Sequence, residues 1–219
     1  MISYPLMKRL GMTAGGLVPF FKCVIVYFVV VRELAPSLTV AAGKCAPVLC
    51  LMLFALLHPP PPHVRDQGWY ASCVATGLAL SMVGDALLVW PECFEAGMGA
   101  FALAHLAYLA GLGFRPLALH LAVACHCATA AFLLLLELPG RLAWLVPLYA
   151  ALLASTAWRG AARGGRAALG ALLFLASDGL LAYGMFGGPM RHNQLWVMST
   201  YYMAQMALAL SVLDPTPED

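Results

Sequence analysis

Apolar residues in this chain come in blocks long enough to cross a lipid bilayer, and proline- or glycine-containing breaks separate each block from the next. A helical span needs ~20 mostly apolar residues, because each residue advances ~1.5 Å through hydrocarbon ~30 Å thick. Backbone amides cannot stay unpaired in lipid, so such blocks fold as helices. The pattern predicts spans at about 17–32, 38–57, 69–90, 94–113, 116–136, 141–158, 166–186 and 194–213. Ala35-Pro36-Ser37, the run from His58 to His63, Trp90-Pro91-Glu92, Arg115-Pro116, Leu138-Pro139-Gly140, the segment Arg159 to Arg166, and Gly187-Gly188-Pro189 supply the breaks. The first and sixth spans are short, so a count of seven stays open.

Composition agrees. Hydrophobic residues make up 63% of the chain and charged residues 10%, against roughly 25% charged in a soluble domain. The expectation is an all-α polytopic transmembrane bundle of about eight helices, one domain over residues 1–219 with a short tail from 214 to 219. The net charge of +2 is carried by scattered residues, and no Lys/Arg-rich run supports binding to nucleic acid. Residues 1–16 are mixed and include Lys8 and Arg9. No small-residue cleavage site follows, so the first span reads as a retained helix rather than a signal peptide. Most of the seven cysteines fall inside spans, where a free thiol behaves as a small hydrophobe. Cys125-His126-Cys127 resembles a fragment of a metal site. Adjacent side chains on a helix diverge, however, and no second pair follows, so no metal is expected.

Lys and Arg distribution sets orientation. Lys8, Arg9, Arg65, Arg115, Arg159, Arg163 and Arg166 fall on the N-terminal side; Arg32, Arg141 and Arg191 fall on the other, with Glu33, Glu92, Glu95 and Glu137. Both termini are therefore expected in the cytosol. No internal repeat of useful strength is visible, which weighs against a repeat-built transporter. The sequence sets no oligomeric state, and a homodimer is one open option.

A charged side chain within hydrocarbon costs ~2.5–3.5 kcal/mol on insertion scales and is a functional candidate by default. Lys22, Lys44, Asp85, His105, His126 and Asp178 qualify. Asp85 and Asp178 are the two acids well inside spans. Counting residues from the span ends puts Asp85 roughly 8 Å, Lys44 roughly 9 Å, Asp178 roughly 12 Å and His105 roughly 16 Å from the far surface. Tyr108 lies one turn beyond His105, and Tyr201, Tyr202 and Gln205 cover a similar range. His105 with Tyr108, and Tyr202 with Gln205, are spaced i,i+3 and share faces. Depth alone does not make these groups neighbours. Lys22 also reads as a snorkelling surface residue, His126 as paired with a backbone carbonyl, and His105 with Tyr108 as interhelical glue. Lys44 can form a structural ion pair with one aspartate, which leaves the other acid for chemistry.

Two carboxyl groups in apolar surroundings divide into one proton donor and one ionised partner. That division suits hydrolysis through a cationic transition state, and equally an aspartic protease. No G-x-S-x-G, H-E-x-x-H or P-loop pattern occurs, so serine, zinc and nucleotide chemistry lack support.

The same residues resemble the YhhN-like membrane family. Lys44-Cys45-Ala46-Pro47 resembles its Lys-x-x-Pro start of the second helix, and Gly84-Asp85-Ala86-Leu87-Leu88 its Gly-Asp-x-x-Leu motif. Phe94, Gly97, Phe101, His105 and Tyr108 resemble its phenylalanine-glycine-histidine-tyrosine stripe. Ser177-Asp178 matches its Ser-Asp motif, and Tyr202-Met203-Ala204-Gln205 its closing Tyr-x-x-Gln. The series covers nearly the whole chain in order, and the sequence looks close to the liver-type mammalian members. The resemblance implies hydrolysis of the vinyl ether bond of lysoplasmalogens, releasing a fatty aldehyde and glycerophosphoethanolamine or glycerophosphocholine. It implies the endoplasmic reticulum membrane, a lysophospholipid substrate and no cofactor. Asp85 and Asp178 would be catalytic. Lys44, His105, Tyr108, Tyr202 and Gln205 would bind substrate or shape the site. The alternatives are an intramembrane aspartyl protease, whose Tyr-Asp and Pro-Ala-Leu motifs are absent here, a proton-coupled transporter, and a lipid-binding protein without chemistry.

Overall fold

The computed structural model describes residues 4–32, 34–58 and 65–214, with the side chains of 4–14 and 65–66 outside the description. The charges of Lys8, Arg9, Glu33 and Arg65, the proline run 59–62 with His63, and the tail 215–219 therefore lie outside the described residues. The described residues form eight α-helices: α1 Tyr4–Val26, α2 Leu38–Leu57, α3 Arg65–Leu87, α4 Phe94–Leu112, α5 Leu119–Leu133, α6 Leu142–Arg163, α7 Gly165–Phe186 and α8 Asn193–Leu210. A π-helical turn, Tyr27–Val31, continues α1. No strand occurs among the described residues.

Among the described residues, five helical segments are long and apolar enough to cross a membrane: Leu38–Leu57, Gln67–Leu87, Pro91–Leu112, Gly165–Phe186 and Asn193–Leu213. Gly15–Val31 and Leu119–Leu133 are apolar but shorter, and α6 carries Arg159 and Arg163 near its end. Large apolar side chains such as Val29, Leu38, Leu134, Trp144 and Leu148 face outward at 71–87% exposure, a surface that water would not tolerate and lipid favours. The chain is a multi-pass integral membrane protein.

The helix boundaries have local causes. Ser37 caps α2 by accepting the Val40 amide at 3.3 Å. Gly164 and Gly165, at φ 81° and 57°, reverse the chain between α6 and α7 in a conformation that costs glycine little. Helix α1 begins at Tyr4, well before the expected residue 17, so its first turns precede the apolar block. Helix α3 stops at Leu87, short of Trp90, where a 3₁₀ turn Pro91–Cys93 begins. Helix α6 runs on to Arg163, five residues past the expected end, because its polar residues find partners. Arg159 donates through Nε to the Gly113 carbonyl at 2.6 Å and through one terminal nitrogen to that of Pro116 at 2.5 Å. It lies 5.1 Å from the centre of the Trp158 ring, and the Arg163 guanidinium sits 3.8 Å above Tyr70. Two arginines counted for orientation are thus built into packing.

Helices α2, α3, α4, α6, α7 and α8 close a ring, each packing on the next and α8 returning to α2. Helix α1 pads α2 from outside, and α5 pads α6. Glycines bring the backbones close: a Cβ on Gly77 would collide with the Tyr108 ring, and one on Gly170 would sit 2.9 Å from the Leu208 amide nitrogen. The ends alternate. At one, Arg166 pairs with Asp214 at 3.0 Å, Gln67 bonds the Asp214 carbonyl at 2.7 Å, and Tyr70 meets Ser211 at 2.6 Å. At the other, Arg141 pairs with Glu95 at 2.9 Å, and the Glu137 amide donates to Phe186 at 2.8 Å.

An intramembrane cavity with two carboxylates

A cavity of about 970 Å³ runs across the second of these ends, from α1 to α5. Tyr27, Arg32 and Lys44 line its α1–α2 side; Asp85 and Trp90 come from α3 and its following turn; Tyr149, Asp178, Thr129 and Phe132 line the α5–α7 side. Most of the wall is apolar. Among the described residues, its charged ones are Arg32, Lys44, Asp85 and Asp178.

Asp85 is 1% exposed. The Lys44 ammonium lies 3.4 Å from its Oδ1 and also 3.4 Å from its backbone carbonyl. Tyr201 donates its hydroxyl to Oδ2 at 2.5 Å. Behind it, Gln205 Nε2 donates to the Tyr201 oxygen at 3.0 Å, and Tyr108 donates to Gln205 Oε1 at 2.9 Å. Ser81 reaches the Tyr108 hydroxyl at 3.5 Å. This chain of donors fixes the Asp85 carboxylate in one orientation. Asp178 makes no ion pair among the described residues. It accepts the Tyr149 hydroxyl on Oδ2 at 2.5 Å. The preceding residue, Ser177, turns away to bond the Val197 carbonyl at 3.0 Å.

Of the residues singled out in the sequence, Lys44, Asp85 and Asp178 line the cavity together. Tyr108 and Gln205 lie behind its wall and act through Tyr201. Tyr202 donates to the Lys44 backbone carbonyl at 2.9 Å, so it holds α8 against α2 and does not reach a carboxylate. His105 is fully buried, 4.6 Å from the Phe174 ring centre and 5.9 Å from that of Tyr149. Neither of its ring nitrogens has a hydrogen-bond partner among the described residues, and it does not line the cavity. Lys22 is exposed on α1. His126 bonds the Ala122 carbonyl at 2.9 Å and Ser155 at 3.2 Å, the structural alternative considered for it.

From the sequence Tyr201 stands out only by its depth and Tyr149 not at all, although both touch a carboxylate. A tyrosine inside an apolar span carries a hydroxyl that needs a partner, and an intramembrane acid needs a donor. That reciprocity is the signal by which Tyr149 was findable. Nothing in the sequence separates Tyr201 from its neighbour Tyr202.

A polytopic helical membrane protein with a carboxylate-bearing cavity among its spans is the class that this fold and site define. The chain belongs to the YhhN family, whose pattern matches residues 39–212. It is 42% identical to the lysoplasmalogenase TMEM86B of Sus scrofa over 88% of this chain and 84% of that one. It is 40% identical to the lysoplasmalogenase TMEM86B of Homo sapiens, over 91% and 88% respectively. The human lysoplasmalogenase TMEM86A is 37% identical over 90% of this chain and 88% of its own. No solved structure matches the chain.

Proposed function

We propose that this protein is a lysoplasmalogenase: it hydrolyses the vinyl ether bond of alkenyl-lysophospholipids to a fatty aldehyde and a glycerophospho-base. The observation that carries the reading is that Asp85 and Asp178, from different helices, line one membrane-level cavity and each accept a tyrosine hydroxyl. Family membership and the names of the similar proteins supply the substrate class.

The two acids have different surroundings, and this suggests different roles. Lys44 compensates the charge of Asp85, so the carboxylate role falls to Asp85. Asp178, with a tyrosine and no cation at ion-pair distance among the described residues, takes the role of acid. In this scheme the Asp178 proton passes to the vinyl carbon remote from the ether oxygen, and the electron pair of the double bond forms the new C–H bond. Positive charge then rests on the other vinyl carbon and the oxygen, where the Asp85 carboxylate stabilises it. Water adds to that carbon and returns a proton to Asp178. The hemiacetal collapses to aldehyde and free glycerol hydroxyl. Tyr149 and Tyr201 orient the carboxyls, with Gln205 and Tyr108 behind Tyr201. The apolar wall lets the alkenyl chain remain out of water.

Aldehyde release from alkenyl-lysophospholipid by the purified protein in detergent, against the saturated ether analogue, tests this. Folded protein that releases none would remove the hydrolase reading. Flux into liposomes without bond cleavage would favour a transporter, and cleavage of a transmembrane peptide would favour an aspartyl protease. We place the protein, as a single transmembrane domain, in the endoplasmic reticulum with both termini cytosolic; accessibility of terminal tags in sealed microsomes checks the orientation. No cofactor enters the scheme.

A further inference from the structure

Thr129 is the buried residue of α5, 8% exposed, and it lines the cavity. Its hydroxyl has no hydrogen-bond partner among the described residues. Other hydroxyls of the wall are committed within the protein: Tyr149 to Asp178, Tyr201 to Asp85, and Ser177 to the Val197 carbonyl. Thr76 and Thr156, elsewhere in the helices, return theirs to the carbonyl one turn back, at Ser72 and Leu152. A buried hydroxyl is costly without a partner, and a ligand that supplies one removes that cost. Helix register gives Thr129 its place. His126 on α5 meets Ser155 on α6 at 3.2 Å, and the two helices are consecutive, packed together and antiparallel. Three residues further along α5, Thr129 comes level with Leu152, and Tyr149 lies about one turn, ~5 Å, beyond. Phe132, at i+3 from Thr129, reaches Gly179, where an added Cβ would lie 3.9 Å from its ring. Gly179 follows Asp178, so Thr129 stands within about a turn of the Tyr149–Asp178 pair.

We propose that the Thr129 hydroxyl binds the free 2-hydroxyl of the lysolipid's glycerol and so favours a one-chain substrate. The inference rests on the hydrolase reading above. Phe132, Val146, Ala150 and Leu153 line the cavity from the same two helices. An apolar wall of this kind disfavours a phosphodiester, whose charge would lose its water there. Two neutral oxygens of the substrate remain, the ether oxygen and the 2-hydroxyl. A donor on the ether oxygen would draw electrons from the double bond and oppose protonation of the remote vinyl carbon, because the positive charge that follows rests partly on that oxygen. The 2-hydroxyl brings no such conflict, and it can donate to Thr129 or accept from it. It stands on the carbon next to the one that bears the ether oxygen. A bond at Thr129 therefore holds the vinyl ether near Asp178, the acid of the scheme. A second acyl chain at that position would replace the hydroxyl by a bulkier ester that only accepts, and a site built to bond a hydroxyl discriminates against an analogue that lacks it.

The test separates binding from chemistry. Thr129→Val keeps the shape of the side chain and removes the hydroxyl, whereas Thr129→Ser keeps the hydroxyl. Wild type and both variants, in detergent, are titrated with two non-cleavable ligands: a saturated-ether lysophosphatidylcholine and the same molecule without its 2-hydroxyl. Wild type should bind the deoxy ligand about tenfold more weakly. Thr129→Val should weaken the hydroxyl-bearing ligand by a similar factor and leave the deoxy ligand unchanged, so that the preference disappears. Thr129→Ser should keep most of it. Equal losses on both ligands, or a preference that survives in Thr129→Val, would overturn the assignment. Thr129→Val should also unfold at an unchanged or higher temperature, since it loses a buried polar group without a partner. A clearly lower midpoint would show that the hydroxyl serves the fold, and would overturn it too. Aldehyde release from the vinyl ether substrate is followed in parallel. A fall in kcat with KM and ligand binding unchanged would assign the hydroxyl to water instead of substrate. No aldehyde from wild type that still distinguishes the two ligands through Thr129 would sink the hydrolase reading and leave this subsite standing.

Discussion

Tyr149 donates its hydroxyl to Oδ2 of Asp178 at 2.5 Å, the distance at which Tyr201 serves Asp85 in the same cavity. Each acid has its own tyrosine, and among the described residues Asp85 alone has a lysine at ion-pair distance as well. The site is built from two similar carboxyl–phenol pairs made unequal by one ammonium group.

Replacing either acid by asparagine keeps the shape and removes the proton or the charge. Asp85→Asn and Asp178→Asn should each lower aldehyde release by about 10²–10⁴-fold, the usual size of an acid–base contribution, while eluting as monodisperse protein. Near-normal turnover in either variant would show that its carboxyl takes no part in the chemistry.

The tyrosines differ in what they hold. Tyr149→Phe and Tyr201→Phe each remove a hydrogen bond to a carboxyl, worth roughly 1.5–3 kcal/mol when the acceptor is charged. Both should lower kcat by about tenfold or more. Tyr202→Phe removes a bond to the Lys44 backbone carbonyl and should shift thermal stability more than kcat. The reverse ranking of Tyr201 and Tyr202 would contradict the geometry.

Arg159 is fully buried and satisfies carbonyls in the link between α4 and α5. Arg159→Ala leaves those carbonyls without their donor, and each such loss costs about 1–3 kcal/mol. The variant should unfold at clearly lower temperature in a thermal-shift measurement, with Arg159→Lys only partly rescued because an ammonium cannot reproduce the fork. An unchanged midpoint would count against this role.

Helix packing gives a prediction independent of chemistry. At Gly170 an added Cβ would lie 2.8 Å from Leu208 Cγ and 3.0 Å from the Ala204 carbonyl oxygen, whereas at Gly99 it would meet nothing within 4 Å. Gly170→Ala should destabilise by about 1–3 kcal/mol through overpacking. Gly99→Ala should be neutral or slightly stabilising, as alanine favours the helix. Equal midpoints for the two variants would mean that the α7–α8 contact yields without cost.

The sequence by itself determined that the chain lives in lipid, since apolar blocks of bilayer length admit no other solvent, and it placed helices over nearly all the segments found. It also determined which groups were costly enough to need a purpose: Lys44, Asp85 and Asp178 stand out because charge in hydrocarbon is expensive. What it left open is lateral order, because depth follows from counting residues while neighbourhood follows from how helices pack. Only the tertiary structure decided that α2, α3 and α8 bring Lys44, Asp85 and Tyr201 within hydrogen-bond reach, that α6 delivers Tyr149 to Asp178, and that His105 and Tyr202 face elsewhere. Adjacent residues on a helix point about 100° apart. Tyr201 and Tyr202 therefore part ways, and the packing of α8 against its neighbours, rather than residue type, chose between them.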